Sequence, residues 1–171
     1  MSDKINFPKR KHHKLKDYDY SLPGYYYVTI CVDKGKSVLS TVGQGLAPAE
    51  FVLRLTDIGT IAEEQLFELE KRFPYVRIDK YVIMPNHLHI IIELIGDPIL
   101  CYETKQPDLY EVIGSYKSIT TRICNKKFDT PGAKLFQSSF YDTVIRSEQG
   151  YYEAYQYIDG NPARWIEKYG C

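Results

Sequence analysis

Residues 76–94 read VRIDKYVIMPNHLHIIIEL. The first half, Val76 to Met84, alternates and is rich in β-branched residues, Pro85-Asn86 forms a short turn, and His87 to Leu94 is a second apolar strand. We therefore predict an antiparallel hairpin over these residues. Because residues two apart on a strand point to the same face, His87 and His89 lie on one face while Leu88 points into the core.

Elements of both types flank this hairpin. Tyr25 to Val32 is typical of a strand, whereas the glycines and proline of 33–48 predict mostly loop with at most a short edge pairing. The remaining predicted elements are a helix capped by Thr56 and ending at Arg72, a helix capped by Asp108, a strand from Phe136 to Ile145, and a helix capped by Ser147 that runs to about Ile158, with Pro162 marking its end. This order predicts an α+β, ferredoxin-like split βαβ sandwich: an antiparallel sheet with helices on one face, plus an additional C-terminal helix.

Length and composition indicate one domain over residues 1–171, with a basic N-terminal arm at 1–20. The chain has 22 basic and 22 acidic residues, but the arm alone carries six Lys/Arg against three Asp. Such a patch can hold a polyanion even though the whole chain is neutral. The four cysteines lack a Cys-x-x-Cys spacing and the start shows no signal peptide, so we expect reduced thiols in a cytoplasmic protein. The apolar runs are too short to cross a membrane.

His87 and His89 are candidate metal ligands. They lie roughly 6.6 Å apart along the strand, so their rings can converge on one ion. The alternative is a pair of partly exposed strand histidines that bind nothing. The Asp and His that a zinc-hydrolase motif carries just after such a pair are missing, since residues 90–92 are all isoleucine. That gap opposes a structural zinc site and favours a loosely held hard cation with open positions for substrate phosphate.

The last predicted helix carries a candidate nucleophile. Tyr157 and Asn161 are four residues apart and share a helical face, so the phenol can meet a phosphate and the amide can serve as a third ligand. Tyr157 as a packing anchor and Asn161 as a helix cap is the competing interpretation. Tyr151, Tyr152 and Tyr155 are rival nucleophiles.

Two motifs carry a resemblance to a known family: MPNHLH at residues 84–89 and YIDGNP at residues 157–162. Together they resemble the single-tyrosine HUH transposases, insertion-sequence-like proteins, and most of all the REP-associated tyrosine transposases. The likeness spans Tyr18 to Trp165. It implies ATP-independent cleavage and joining of single-stranded DNA beside hairpins, with His87 and His89 binding Mg²⁺ or Mn²⁺, Tyr157 as the nucleophile that forms a 5′-phosphotyrosine, and Asn161 as an amide ligand. Insertion-sequence members often carry Gln at that last position.

Several basic residues are candidate DNA contacts: Lys9, Arg10, Lys11, Lys14, Lys117, Arg122 and Arg146. The alternative for the arm and for the helix residues is an ordinary solvated surface. Two other functions compete with the transposase interpretation, namely a catalytically silent protein of the same fold that binds hairpin or single-stranded DNA, and an unrelated metal hydrolase. The sequence leaves monomer and homodimer open.

Overall fold

The computed structural model describes residues 15, 17–45, 51–96 and 107–170, except for the side chain of Gln44. Six strands and four helices follow one another as β1 Gly24–Cys31, β2 Ser40–Gln44, β3 Phe51–Leu55, α1 Asp57–Arg72, β4 Val76–Ile83, β5 His87–Leu94, α2 Leu109–Lys127, β6 Tyr141–Ile145, α3 Glu148–Asp159 and α4 Asn161–Tyr169. A single 3-10 turn, Asp33–Gly35, follows β1.

The main sheet has the order β4-β5-β1-β6, and all its neighbouring strands are antiparallel. This is the predicted ferredoxin-like arrangement, in which each strand–helix–strand unit is split by a strand of the other. β4 and β5 form the predicted hairpin, closed by a hydrogen bond from Met84 N to His87 O. The prediction of an α+β antiparallel sandwich is confirmed.

Two layers of helices enclose the sheet. The face that carries Leu88, Ile90 and Ile92 packs into the hydrophobic core beneath α1 and α2. The opposite face of the same strand carries His87 and His89, and α3 lies across that side against β4, β5 and β6. Strand alternation therefore assigns one face of β5 to packing and the other to a site.

The predicted helix caps are present. Thr56 accepts a hydrogen bond from Gly59 N, and Asp108 forms a full capping box with Glu111. Ser147 accepts from Gly150 N at the start of α3. Each of these side chains satisfies a backbone N–H that a helix start leaves without an internal partner, which is why the sequence located the three starts correctly.

The short pairing allowed for residues 33–48 is present as β2, but its partner β3 was not predicted, and the two form a separate two-stranded sheet. Two predicted elements were wrong in extent. The strand expected from Phe136 begins only at Tyr141, although Phe136 makes an isolated bridge to Val32. Pro162 does not end the helical region but lies in the first turn of α4, where its missing N–H costs nothing.

Candidate active site

The two histidines lie together at the start of β5. Their ring centroids are 4.6 Å apart and the ring planes are inclined at 70°. Leu88 between them is fully buried in the core, as the alternation predicted. His89 is 95% buried by the surrounding chain, with 5% of its surface exposed, so the pair is fixed by packing on a rigid strand.

Hydrogen bonds to the Nδ1 atoms orient both rings. Asn86 Oδ1 lies 2.6 Å from His87 Nδ1, and because an amide oxygen can only accept, Nδ1 carries the proton and Nε2 keeps its lone pair. His89 Nδ1 lies 2.7 Å from the Tyr27 hydroxyl and 2.8 Å from Thr29 Oγ1. Such contacts fix the ring and tautomer of a histidine that binds a metal. From the sequence, Asn86 was expected only to form the turn, and Tyr27 and Thr29 only to lie in a strand.

The register of the sheet explains how they reach the site. Thr29 lies directly opposite His89 across the β1–β5 pair, and Tyr27 lies two residues along on the same face of β1. The Tyr27 ring also stacks on the His89 ring, with centroids 5.5 Å apart. The sequence did carry a signal for the two residues, since Tyr27 and Thr29 alternate with the core residues of β1 and so share the other face. Their partner on β5, however, depends on the register of the two strands.

Burial keeps both imidazoles uncharged near neutral pH. Loss of hydration lowers the pKa of His87 from 6.5 to about 4, opposed by its hydrogen bond to Asn161 and reinforced by the positive charge of Lys168. Burial also lowers the pKa of His89 well below its ordinary value, with smaller contributions from His87 and Arg164. Burial also raises the pKa of Tyr27, which therefore stays a neutral hydroxyl. Neutral imidazole is the form that binds metal ions.

The junction between α3 and α4 brings Tyr157 and Asn161 to the histidines. The Tyr157 ring packs edge-on against His89, with centroids 5.3 Å apart. Asn161 is 6% exposed, its Nδ2 donates to the Tyr157 carbonyl, and its side chain lies beside His87, whose pKa it raises. Asn161 is therefore the first residue of a new helix rather than the end of the previous one, and its amide faces the pair.

The rival tyrosines of α3 have other contacts. The Tyr151 hydroxyl donates to Asp79 on β4, and this carboxylate raises the pKa of Tyr151 to about 12. The Tyr155 ring lies under the ammonium of Lys80, 4.2 Å from its centroid. Tyr152 is 53% exposed. Of the four tyrosines of α3, Tyr157 is the one whose ring packs on the histidine pair.

Two residues of α4 pack next to Tyr157 and His87. The Arg164 guanidinium lies 4.5 Å from the centroid of the Tyr157 ring and donates to the Tyr157 carbonyl. Trp165 packs beside His87, with ring centroids 6.2 Å apart. Arg164 could not be placed beside Tyr157 from the sequence, because Pro162 was expected to end the helical region.

The donor set is small. Within residues 15, 17–45, 51–96 and 107–170, no cluster of three or more His, Cys, Asp or Glu side chains has the geometry to hold a metal ion. Two imidazoles and the Asn161 amide are thus the groups that converge here. Such a set is too poor for a closed structural zinc site, but it suits a cation that keeps open positions.

The predicted DNA contacts are spread over the surface. Arg146 is exposed just before α3, and Arg122 is exposed on α2. Lys117 is half-buried, and its Nζ donates to the carbonyls of Ser138 and Ser139. The arm residues Lys9, Arg10, Lys11 and Lys14 lie outside the described residues. In the described part of the chain no helix is both long and apolar enough to span a membrane.

Comparison with known proteins adds sequence and fold relatives. No protein-family model matches the chain. A protein of Haemophilus influenzae (strain KW20 / Rd), named only as an uncharacterized protein, is 31% identical over 169 residues, which cover 91% of this chain and 89% of that protein.

Two solved structures are similar in fold. A REP-associated tyrosine transposase bound to a REP hairpin aligns with a TM-score of 0.57 and 15% identity, over 91% of this chain and 74% of that one. A protein of Deinococcus radiodurans R1, provisionally named as a transposase, aligns with a TM-score of 0.51 and 16% identity, over 87% of this chain and 97% of that one.

Proposed function

This chain belongs to the same family as the Haemophilus influenzae protein, and we propose that it is a single-tyrosine transposase-type enzyme that cleaves and rejoins single-stranded DNA beside hairpins. The observation that carries the proposal is the packing of Tyr157 against His89, with Asn161 beside His87. The shared fold with a transposase that was solved on a REP hairpin supports it.

The converging groups fit a divalent cation. His87 carries its proton on Nδ1, so Nε2 is free to bind a metal, and the two hydroxyls at His89 Nδ1 allow the same tautomer there. We assign His87, His89 and Asn161 as the ligands of Mg²⁺ or Mn²⁺. When bound, such an ion polarises a nonbridging phosphate oxygen and holds the scissile group in place.

Tyr157 supplies the nucleophile in this proposal. Its phenolic oxygen forms a bond to phosphorus, the bond from phosphorus to the 3′ oxygen breaks, the phenol proton passes to solvent, and the leaving oxygen takes a proton from solvent. The product is a 5′-phosphotyrosine and a free 3′-hydroxyl. Because the phosphodiester is retained on the enzyme, a 3′-hydroxyl can later attack it and rejoin DNA without ATP.

Neighbouring side chains position this step. Arg164 stacks on the Tyr157 ring and donates to its backbone carbonyl, so the ring is fixed and a positive charge lies over the phenol ring. Tyr27 and Thr29 hold His89 in one orientation. These groups all belong to one chain, so we propose that a monomer contains a complete site.

Basic residues bind the DNA flanking the site. We assign Arg146, just before α3, to a phosphate of the cleaved strand near the cut. Lys117 and Arg122 on α2 are assigned to DNA phosphates farther from the cut. The arm residues Lys9, Arg10, Lys11 and Lys14 complete this proposal as contacts to the hairpin.

One assay tests the function. The protein is incubated with single-stranded hairpin DNA and Mg²⁺ or Mn²⁺, and a protein–DNA adduct that resists denaturation is sought. We expect such an adduct, and its loss when the metal is chelated. Binding to the hairpin without an adduct would instead identify a catalytically silent DNA-binding protein. The absence of both binding and adduct would point to a different, metal-dependent hydrolase.

A further inference from the structure

A cavity of about 410 Å³ lies between β6 and α3, directly beside the proposed nucleophile. Tyr27 and Tyr157, whose rings both contact His89, form the wall that faces the histidines. The volume falls within the ~300–1,000 Å³ typical of small-ligand pockets. None of the roles proposed above uses this space.

The sequence of α3 explains why the cavity exists. Gly150, Ala154 and Tyr157 follow one another at spacings of four and three, so they share a helix face, and all three line the cavity. The neighbouring face carries Tyr151 and Tyr155, which contact Asp79 and Lys80 on β4. Large side chains thus fasten one side of α3 to the sheet while small ones leave space over β6.

The irregularity in β4 strengthens this fastening. The β4–β5 register shifts between Ile78 and Lys80, and the bulge allows the consecutive residues Asp79 and Lys80 both to reach α3. Lys80 also forms an ion pair with Asp159 at the end of the helix. The helix is therefore held on its β4 side, and the space on its β6 side is a fixed feature of the packing.

The residues that line the cavity have the charge and the aromatic surface that suit a single nucleotide. Two exposed arginines, Arg146 and Arg164, and a single acid, Glu153, line the cavity, so the lining has an excess of positive charge that suits phosphate. The tyrosine wall offers aromatic surface on which a base can stack. Ile145, which lies on the same face of the sheet as Tyr27, and the methyl group of Ala154 add apolar surface behind it.

We propose that this cavity binds the nucleotide that stays joined to Tyr157 after cleavage, that is, a deoxynucleotide attached through its 5′-phosphate. The inference rests on the proposed function, because it needs Tyr157 to hold that phosphate. It adds a protein subsite for the base next to the cut, formed by Tyr27, Ile145 and Ala154. That subsite holds the scissile phosphate in register with the phenol.

Ala154→Leu tests the proposal by filling the cavity without altering Tyr157. Tyr152→Leu is the matched control, since it places leucine on the exposed side of the same helix. The cut position is first mapped by sequencing the DNA in wild-type adducts formed on a hairpin oligonucleotide. Adduct formation is then measured on that oligonucleotide and on one that lacks the base immediately 3′ of the cut.

The expected pattern is a coupling between the two changes. Loss of one stacked base should slow wild-type adduct formation about tenfold or more, and Ala154→Leu should slow it similarly on intact DNA. In the Ala154→Leu protein the missing base should then matter less than about twofold, whereas Tyr152→Leu should behave as wild type. An equal effect of the missing base in Ala154→Leu and wild type would overturn the proposal.

A second measurement does not depend on turnover. The four deoxynucleoside 5′-monophosphates are titrated into the ¹⁵N-labelled wild-type protein, and shifts of the amides around Val144 and Ala154 are followed. We expect shifts there, and their absence would overturn the proposal even if adducts form. Failure to form any adduct would count against the proposed function, and these amide shifts would still decide whether the cavity binds a nucleotide.

Discussion

Asn86→Ala removes the acceptor that fixes the His87 ring. The Asn86 side chain contributes one short hydrogen bond to the site, 2.6 Å from Oδ1 to His87 Nδ1, and one long one of 3.5 Å from Nδ2 to Gly35 O. The short bond holds the tautomer that leaves Nε2 free for a metal. We therefore expect the substitution to act on metal affinity more than on folding.

The size of the effect follows from this geometry. Loss of a hydrogen-bond partner behind a ligating histidine weakens metal binding by about 10–100-fold, or roughly 1.4–2.7 kcal/mol. Because the hydrogen bond is short and the His87 ring is largely buried, we expect the loss of metal affinity to fall in the upper half of that range. The change in stability should stay near ~1 kcal/mol, as for one ordinary hydrogen bond.

Calorimetric titration with Mn²⁺ measures the effect, and urea unfolding of the metal-free protein measures stability. Asn86→Asp keeps an acceptor at the same place and should restore affinity to at least the wild-type value. Asn125→Ala is the matched control, because it removes an asparagine hydrogen bond to the Ala133 carbonyl on the other side of the molecule. Wild-type Mn²⁺ affinity in Asn86→Ala would refute the role assigned to the His87 tautomer.

Three further perturbations test the packing and the site. Gly59→Ala should destabilise the protein by about 1–3 kcal/mol in urea unfolding, because its new Cβ would lie 1.9 Å from the Leu39 carbonyl oxygen. The control Gly114→Ala, whose Cβ meets nothing within 4 Å, should be neutral or stabilising by up to about 1 kcal/mol. Equal effects of the two substitutions would contradict the close approach of Gly59 to Leu39. The pKa of His87 is about 4 in the folded protein and 6.5 in the unfolded chain, so between these pH values the unfolded chain binds more protons. The free energy of unfolding should therefore fall as the pH drops from 6.5 toward 4. His87→Gln should reduce this slope in metal-free protein, leaving the part that comes from His89, and an unchanged slope would count against the burial effect. Tyr151→Phe should keep the covalent DNA adduct with a rate reduced by no more than about tenfold, since it loses one hydrogen bond; complete loss would make Tyr151 the nucleophile.

Local signals in the sequence predicted much of the fold. The alternation of 76–94, the caps at Thr56, Asp108 and Ser147, and the spacing of His87 and His89 are all encoded within a few neighbouring residues, and the structure has them where they were expected. The order of these elements was enough to predict the antiparallel sandwich.

The features that were missed depend on contacts between distant segments. Pro162 can follow one helix or begin another, and the sequence alone favoured the first, so α4 and Arg164 were not foreseen. The hydrogen bonds of Tyr27 and Thr29 to His89 depend on the register of β1 against β5, which periodicity does not specify. The bulge in β4 and its two contacts to α3 likewise exist only once the helix is docked.

The central claim is that Tyr157 becomes covalently joined to DNA. The most direct measurement is to digest the adduct formed with hairpin DNA, using both a protease and a nuclease, and to locate the nucleotide-bearing residue by mass spectrometry. The account predicts a single 5′-phosphonucleotide on Tyr157, absent from Tyr157→Phe protein that still binds the hairpin. A nucleotide on Tyr27, Tyr151, Tyr152 or Tyr155, or adduct formation by Tyr157→Phe, would contradict it.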